Sequence, residues 1–462
     1  MRRKKRPFRR LNSNAGLRNN TEKRLERYKL GISQGYQQGL QAGIESYGTF
    51  FEGTSIIIPS ENEVESVKAC IEGIMDHTDL PYEIIVIDNN SADGIERYLS
   101  QLDGQVRYRI LSESIGFTGA ANIGFMMAKG TTILLLDNHI QPTENWLENL
   151  LLCLNSDANI GIVGPVSKGL SGKQHMELPL DDLEDKYESA RINNKSDSSK
   201  WHQAERLTDG CMLFRRELLE RVGYLDEGCQ EKPFYADDYG LRVRLQGFSL
   251  VYARDAYVHL AEQEEERAAL RSIEKAHHDS SLYFANKWSG IDPVILDMEA
   301  SAYRQCKWLQ ELETASCQRL GESAFYPQHL AVKGLGETIY WIENSVRRPI
   351  DGIWEETAIR LSQLDLWRWA MGEPIPAEAL SAFKSSNRAK DHVALRDGML
   401  CEGTNGSSYY LENGKKRAII SRLAAEGWGL DAHQQTKLSE AELSAIPDGL
   451  PIIAPIKLLQ AL

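Results

Sequence analysis

Short runs of branched apolar residues alternate with longer amphipathic segments from Thr54 onward. The apolar runs are Ser55–Pro59, Glu83–Ile87, Val106–Leu111 and Thr132–Leu136. Between the first two runs, residues 62–77 carry their apolar side chains at helical spacing, and residues 117–129 have a helical composition. Such an alternation is typical of parallel strands that are covered by helices on both faces. The pattern therefore predicts an α/β fold with a mostly parallel, Rossmann-like sheet.

Outside this region the composition of the chain changes several times. Residues 166–206 are polar and rich in turn formers, which predicts a long loop or insertion, and a second structured block follows at Leu207–His259. Helix formers and tryptophans dominate the next hundred residues, which predicts a helical region. Turn signals at Asn405-Gly406 and Asn413-Gly414 then predict a small β-containing module with hairpins. The expected domains are residues 1–52, 53–262, 263–390 and 391–462.

The first 52 residues differ from the rest in charge and in glycine content. Seven of the first ten side chains are basic, and glycine recurs every four residues from Gly31 to Gly43. A basic tail can contact an anionic membrane surface, and it can equally be a solvated terminus. The glycines favour a flexible spacer or a short self-association segment. The sequence does not decide between membrane contact and a solvated terminus, or between a spacer and a self-association segment.

Composition restricts the class of protein. The 462 residues carry a net charge of −13, which argues against broad nucleic-acid binding because a phosphate-binding surface needs excess basic side chains. Seven scattered cysteines form no CxxC pair, so neither a disulfide framework nor a thiolate zinc site is indicated. No apolar run suggests a secretory signal or a membrane-spanning helix. We expect a cytoplasmic protein.

Polar side chains follow three of the predicted strands. Pro59 and Glu61 follow the first, Asp88 and Asn90 the second, and Asp137 and His139 the fourth. In open α/β sheets, ligands bind beyond the carboxyl ends of the strands. Carboxylates there can accept hydrogen bonds from a base or a ribose, and Asp137 with His139 can hold a divalent cation. Caps and turns are the alternative use of such residues.

Further candidates lie in the small-residue segment Gly116–Gly124 and in the second block. A helix that begins with small residues allows either a ligand or a neighbouring strand to approach its backbone. In the second block, Asp237 and Asp238 precede a helix that they can simply cap. Two adjacent acids beside a pocket also suit base catalysis, because their repulsion raises the proton affinity of one of them.

The ordered blocks SIIIPSENE, EIIVIDNNSADG, SIGFTGAANIGF, LLLDNHIQPTENWLENLL, DGCMLFRRELLERVGYLDE and YADDYGLRVRLQGFSLVYARDAYVHL resemble the family 2 glycosyltransferases of the GT-A fold. The resemblance covers about 205 residues, with every block in order. It implies an inverting transfer from a nucleoside-diphosphate sugar by direct displacement at the anomeric carbon. The C-terminal segment resembles a small β-containing repeat of bacterial surface and enzymatic proteins.

The resemblance implies a role for each candidate. It places the donor nucleoside at Pro59, Glu61, Asp88 and Asn90, with Asn122 and Asp137 also on the donor side. It places the wall between donor and acceptor at Asp209, Gly210 and Cys211. The implied general base is Asp238, paired with Asp237. The implied ligands of a divalent cation, Mn²⁺ or Mg²⁺, are Asp137, His139 and His259.

Three positions depart from the family pattern, and one of them is Gly240, which stands where many members have another acid. His139 stands where the principal metal ligand is usually an aspartate, and imidazole suits Mn²⁺ better than Mg²⁺. Either the metal preference differs or the site depends only weakly on a metal. Asp237 stands where the family usually has a glutamate, which shortens the side chain but keeps the acid pair.

The sequence thus predicts an inverting glycosyltransferase that uses a UDP- or dTDP-sugar and a hydroxyl acceptor on a glycan, a lipid-linked sugar or a protein. The resemblance implies a role in bacterial cell-surface, capsule or spore-surface glycan synthesis, in the cytoplasm or at the inner face of the membrane. No nucleic-acid partner is expected. The alternative is a catalytically inactive protein of the same fold that binds a sugar or nucleotide, and His139 is its best support.

Overall fold

The computed structural model describes residues 49–102, 104–178, 183–261, 270–289, 321–380, 395–431 and 435–459. The basic tail and the glycine repeat predicted before residue 49 lie outside the described residues. In the first half of the chain the strands are β1 Phe51–Ser60, β2 Tyr82–Asp88, β3 Val106–Ile110, β4 Gly130–Leu136, β5 Ile140–Gln141, β6 Ile160–Val166, β7 Trp201–Ala204, β8 Cys211–Arg215, β9 Ser249–Tyr257 and β10 His259–Leu260. The helices are α1 Val64–His77, α2 Ile95–Gln101, α3 Gly116–Met127, α4 Trp146–Ser156, α5 Leu183–Asn193, α6 Arg216–Val222, α7 Phe234–Leu245 and α8 Leu270–Lys287.

Eight of these strands form one sheet in the order β3-β2-β1-β4-β8-β6-β9-β7. β1, β2 and β3 are parallel, as are β6 and β9, whereas β8 runs antiparallel to both of its neighbours. Strands β5 and β10 pair separately as a short antiparallel ribbon. The α/β class predicted from the sequence is confirmed, and the four predicted strands correspond to β1–β4.

Alternate residues of the central strands pack into different cores. Ile57 of β1 belongs to a cluster with α3, α6 and α7, whereas Ile56 and Ile58 belong to a cluster with α1, α2 and α4. Successive side chains of a strand point to opposite faces of the sheet, so both faces of β1 are covered. This double coverage explains why the strands read as uninterrupted apolar runs.

The glycines of α3 serve close packing against the sheet. A Cβ on Gly124 would lie 2.3 Å from Ile57 Cγ2, and a Cβ on Gly116 would lie 2.1 Å from Gln230 Oε1. At Gly124 the neighbour is a branched side chain of the packed strand β1, so the close approach favours glycine there. At Gly116 the backbone φ of 77° favours glycine, because residues other than glycine rarely adopt it. Of the two alternatives for this small-residue segment, the structure favours approach of neighbouring protein groups.

The polar stretch 166–206 contains more structure than a loop. It includes α5 and the strand β7, which extends the main sheet by pairing antiparallel with β9. The prediction of a long loop or insertion is corrected accordingly. The apolar periodicity of α5 is weak because much of the helix faces solvent, and β7 is a four-residue edge strand, so neither element gives a strong pattern.

The region after residue 320 is built largely from strands. They are β11 Leu330–Lys333, β12 Ile339–Glu343, β13 Val346–Asp351, β14 Ile359–Arg360, β15 Ala370–Met371 and β16 Ile375–Pro376, with one short helix, α9 Gln363–Trp367. The helical region predicted for 263–390 is therefore wrong across these described residues, although α8 is helical. Asn344 and Ser345 both have positive φ and form the two-residue turn between β12 and β13. This left-handed turn between aromatic and β-branched runs is the hairpin signal that a count of helix formers overlooks.

The C-terminal segment forms a second small sheet. Its strands are β17 Leu400–Glu402, β18 Ser408–Glu412, β19 Lys415–Ala418 and β20 Gln435–Lys437, accompanied by α10 Arg422–Gly427 and α11 Glu440–Ser444. The two predicted hairpins are confirmed, since β17, β18 and β19 are joined at the two Asn-Gly turns. Apolar residues of this sheet and of the preceding one share a core in which Trp369 and Trp428 are buried. Across the described residues, no helix is both long enough and apolar enough to span a bilayer.

Candidate functional site

The ends of β1, β2 and β4 are tied together by side-chain hydrogen bonds. Asn89 Nδ2 donates to Glu61 Oε2 at 2.5 Å, and Asn138 Nδ2 donates to Glu63 Oε2 at 2.5 Å. Ser60 and Asp88 are register partners in the parallel pair β1–β2. Polar residues that are distant in sequence therefore meet at one edge of the sheet, as the strand-end pattern predicted.

Asp88 is fully buried at the end of β2. Its Oδ2 accepts a hydrogen bond from the Ser91 amide at 3.1 Å, whereas no described residue donates to its Oδ1. An unsatisfied buried carboxylate oxygen is costly, so this atom is suited to accept a hydrogen bond from a ligand N–H. Pro59 is buried beside it in β1, and Asn90 is exposed with a φ of 66°.

Asp137 and His139 form a buried acid–imidazole pair just after β4. Asp137 Oδ1 lies 2.9 Å from both the amide nitrogen and Nδ1 of His139, and His139 Nε2 lies 3.2 Å from Glu63 Oε1. Burial alone would lower the pKa of His139, but its contacts with Asp137 and Glu63 raise it to about 9. The ring is consequently an imidazolium at neutral pH.

Lys232 contacts the other oxygen of Asp137. Its Nζ donates to Asp137 Oδ2 and lies 3.7 Å from Asp209 Oδ2, and 43% of its side chain is exposed. Burial would lower the pKa of Lys232, but the negative charges of Asp137 and Asp209 raise it. Burial would likewise raise the pKa of Asp137, but His139 and Lys232 bring it well below its ordinary value. The carboxylate of Asp137 thus lies between two cationic groups.

The three side chains expected to bind a metal are not assembled as a ligand set. His139 is directed at Asp137 and Glu63, and His259 makes edge-to-face ring contacts with Tyr187 and Tyr257. Within the part of the chain that the structure describes, no group of three or more His, Cys, Asp or Glu residues is arranged to hold a metal ion. Asp137 and His139 pair with each other, and their remaining atoms pair with Lys232 and Glu63, so the donor set as arranged does not fit such an ion.

Asp238 is buried in the protein interior, away from solvent. Its Oδ1 accepts hydrogen bonds from Lys287 Nζ at 2.6 Å and Trp288 Nε1 at 2.9 Å, and its Oδ2 accepts one from Arg242 Nε at 2.9 Å. Burial would raise the pKa of Asp238, but Lys287 and Arg242 lower it. A carboxylate stabilised in this way is a weak proton acceptor. This geometry does not support the expected role of Asp238 as the general base.

Asp237 has the more suitable surroundings for a base. Arg206 binds both of its carboxylate oxygens, with Nε 3.0 Å from Oδ1, and the Arg206 side chain is 65% exposed. Burial raises the pKa of Asp237, Arg206 opposes this effect, and the charges of Asp209 and Asp238 add to it. Tyr235, two residues earlier, donates from Oη to the carbonyl of Asp209 at 2.9 Å. The charge of Asp209 acts on Asp237, so the two carboxylates are near each other.

The remaining candidates have structural contacts. Asn122 is buried, and its amide group pairs with the backbone of Leu225 and with Glu227, so it fastens the loop after α6 to α3. Cys211 is fully buried in the core of β8, and Gly210 accepts the Asp137 amide at 2.8 Å. Both side chains are enclosed by protein, and the assignments of Asn122 to the donor and of Cys211 to the pocket wall stay predictions.

Three side chains of this site did not stand out in the sequence. Glu63, Arg206 and Lys232 meet the strand-end acids only in the tertiary structure. Lys232 is preceded by a run of polar residues that reads as an ordinary loop. The position of Lys232 could have drawn attention to it, because it lies two residues before α7, in the same sequence block as Asp237 and Asp238.

Comparisons with known proteins find similar sequences for the first half of the chain. Residues 55–223 match the model of the family described as "Glycosyl transferase family 2". The glycosyltransferase AglE of Haloferax volcanii is 31% identical over 115 residues, which are 24% of this chain and 38% of that protein. The chondroitin synthase of Pasteurella multocida is 26% identical over 229 residues, which are 42% of this chain and 23% of that protein.

A solved structure of GalNAc-T7 with UDP, GalNAc and Mn²⁺ is also similar to this chain. The similar region covers 57% of each of the two chains, at 15% identity and a TM-score of 0.38. The chain spans less than two fifths of the length of the two curated relatives. The family match contains Asp88, Asp137 and Asp209 and ends before Lys232 and Asp237.

Proposed function

We propose that this chain, whose residues 55–223 match the family model described as "Glycosyl transferase family 2", transfers a sugar from a nucleoside-diphosphate sugar to a hydroxyl acceptor with inversion at the anomeric carbon. The observation that carries the proposal is the sheet edge at which Asp88 ends β2 and Lys232 bridges Asp137 and Asp209, all three acids lying within the family-matched segment. Buried and partly buried carboxylates that surround a cationic group suit a diphosphate-linked donor.

The donor nucleoside is proposed to bind at the end of β2. Asp88 Oδ1 is a buried acceptor without a described donor, and the N3–H of a uracil or thymine base is a group that would satisfy it. Glu61 and Asn89 border the same point through their mutual hydrogen bond. This chemistry favours a UDP- or dTDP-linked sugar, because both of these bases present an N–H donor flanked by carbonyl oxygens.

Asp237 is proposed as the general base in place of Asp238. In the displacement, the acceptor oxygen forms a bond to the anomeric carbon while the bond from that carbon to the diphosphate oxygen breaks. The acceptor proton passes to the base, and the bonding electrons leave with the diphosphate. Asp237 suits this task because burial raises its pKa. The oxygens of Asp238, in contrast, already accept hydrogen bonds from Lys287, Arg242 and Trp288.

The acceptor is proposed to be a hydroxyl of a glycan, a lipid-linked sugar or a protein in bacterial surface-glycan synthesis. The similarity to chondroitin synthase, a protein named for building a polysaccharide, supports a glycan acceptor. We propose a cytoplasmic location at the inner face of the membrane, where such acceptors are assembled. The seven basic residues among the first ten support this location.

A screen of nucleotide sugars for release of the nucleoside diphosphate tests the proposal. Wild-type protein is expected to turn over a UDP- or dTDP-sugar, and Asp237→Asn is expected to lower kcat about 100-fold or more while the donor still binds. Asp351→Asn, a change at an exposed acid on β13, is the matched control and should retain full turnover. Donor binding without turnover by the wild type would contradict the proposal and would indicate the non-catalytic sugar-binding alternative.

A further inference from the structure

We propose that the Lys232 ammonium group, in the place of a divalent cation, stabilises the departing nucleoside diphosphate, so that this chain transfers sugar without a metal. The inference rests on the proposed function, since it concerns the leaving group of that reaction. It arises from a disagreement between the family expectation of a bound metal and the residues present. The carboxylate expected to bind the cation is instead paired with a lysine.

The position of Lys232 is the first argument. Its Nζ bridges Asp137, at the end of β4, and Asp209, which precedes β8. These two strands are neighbours in the sheet, and ligands in such folds bind beyond the strand ends. The charge of Lys232 therefore lies where a cation held by Asp137 would lie.

The chemistry of the ammonium group is the second argument. It has three N–H donors, of which one is hydrogen-bonded to Asp137, while Asp209 is a second, more distant ion-pair partner. Because 43% of the side chain is exposed, the group is open to a ligand on its solvent side. Lysine is an established binder of phosphate oxygens, and a charged hydrogen bond to phosphate is stronger than a neutral one.

The support of the Lys232 backbone is the third argument. Two hydrogen bonds hold the loop before Lys232. Thr118 Oγ1 of α3 donates to Gln230 Oε1 at 2.9 Å, and the Glu231 amide donates to Ser280 Oγ of α8 at 3.3 Å. Immediately after it, Pro233 begins the turn that leads into α7. A donor placed by such a framework needs little reorganisation when charge develops on the leaving group.

In the reaction, the bond between the anomeric carbon and the β-phosphate oxygen breaks, and its electron pair stays on that oxygen. The diphosphate thereby gains one negative charge, while the proton of the acceptor hydroxyl passes to Asp237. Lys232 donates a hydrogen bond to the diphosphate and keeps its own proton. The step is balanced without any further reactant, because the acceptor proton and the leaving electron pair are both accounted for.

Turnover in the presence and absence of EDTA is the direct test. We expect wild-type nucleoside diphosphate release to change by less than about twofold in EDTA, and Lys232→Ala to lower kcat about 100–1,000-fold, the range found for removal of one preorganised donor. Lys232→Arg, which retains the charge, should recover part of the lost rate. Lys437→Ala removes an 86% exposed lysine on β20 and serves as the matched control.

Calorimetric binding of UDP and dTDP in EDTA provides a readout that does not depend on turnover. We expect binding by the wild type and weaker binding by Lys232→Ala. Activity that EDTA abolishes and Mn²⁺ restores, wild-type turnover by Lys232→Ala, or nucleotide binding only with Mn²⁺ would each overturn the inference while leaving the glycosyltransferase proposal intact. Nucleotide binding in EDTA that requires Lys232, with no donor turned over, would support the cationic subsite and contradict the proposed transferase instead.

Discussion

Lys287 Nζ lies 2.6 Å from Asp238 Oδ1, and both side chains are buried. The same nitrogen lies 2.6 Å from Asp226 Oδ2, so one cation at the end of α8 serves two acids. Arg242 continues the network by contacting Asp238 on one side and Glu322 on the other. The network therefore joins the acid pair of α7 to α8 and to the segment that begins the second half of the fold.

Replacement of Lys287 should destabilise the protein strongly. Lys287→Met leaves Asp226 and Asp238 buried without their shared cation, and breaking a buried ion pair in this way costs about 3–5 kcal/mol. Urea unfolding would measure the change. The matched control, Lys437→Met, alters an exposed pair with a 3.8 Å separation and should change stability by less than about 0.5 kcal/mol.

Addition of Asp238→Asn to Lys287→Met should cost less than the sum of the two single changes, because both act on the same contact. Strict additivity would contradict the pairing.

The pH dependence of turnover should report on Asp237. Its ordinary pKa is 3.8, and burial raises that value in the folded protein. The base works only when deprotonated, so kcat/KM should fall about tenfold per pH unit below this raised pKa and level off above it. Arg206 lowers the pKa of Asp237, so Arg206→Ala should move the acidic limb to higher pH.

Among the described residues, the charged groups that shift the pKa of Asp237 are Arg206, which is a cation, and the two acids Asp209 and Asp238. Arg191→Ala, a change in an exposed α5 pair, should leave the acidic limb in place. An unshifted limb in Arg206→Ala would argue against Asp237 as the group observed.

Gly124→Ala should destabilise the packing of α3 against the sheet. The added Cβ would lie 2.3 Å from Ile57 Cγ2, and overpacking of a close-packed core typically costs about 1–3 kcal/mol. Gly336→Ala is the control, because an added Cβ there has nothing within 4 Å. Thermal unfolding compares the two. Equal midpoints would show that β1 and α3 can separate without cost.

Truncation after Ile456 should reduce the free energy of nucleotide binding by more than it reduces the free energy of unfolding. In the removed segment, the Lys457 carbonyl accepts a hydrogen bond from the Glu227 amide at 2.9 Å. The Lys457 amide donates to Asp226 Oδ1 at 3.1 Å, and the Leu459 amide donates to Glu227 Oε2 at 2.6 Å. These bonds hold the loop that leads to Lys232. Calorimetry with UDP, alongside urea unfolding of the same variant, separates the two effects. Unchanged affinity would show that the loop holds its position without the C-terminal segment.

Local patterns were enough to identify the α/β half of this protein and the acids at the strand ends. Buried parallel strands give continuous apolar runs, so β1–β4 and the positions of Asp88 and Asp137 followed from the order of residues alone. The hairpin at Asn413-Gly414 followed from local chemistry as well, because both residues adopt positive φ.

The use of each acid depended on contacts between distant residues. Asp237 and Asp238 are adjacent in sequence, yet Arg206 pairs with the first and Lys287 encloses the second. Lys232 reaches Asp137 across 95 residues of sequence. Charge, burial and proton affinity depend on everything that surrounds a group in three dimensions. The sequence by itself could therefore determine the strand ends and the candidate acids, whereas only the tertiary structure decided which acid pairs with an exposed arginine, which is enclosed by buried cations, and which cation contacts Asp137.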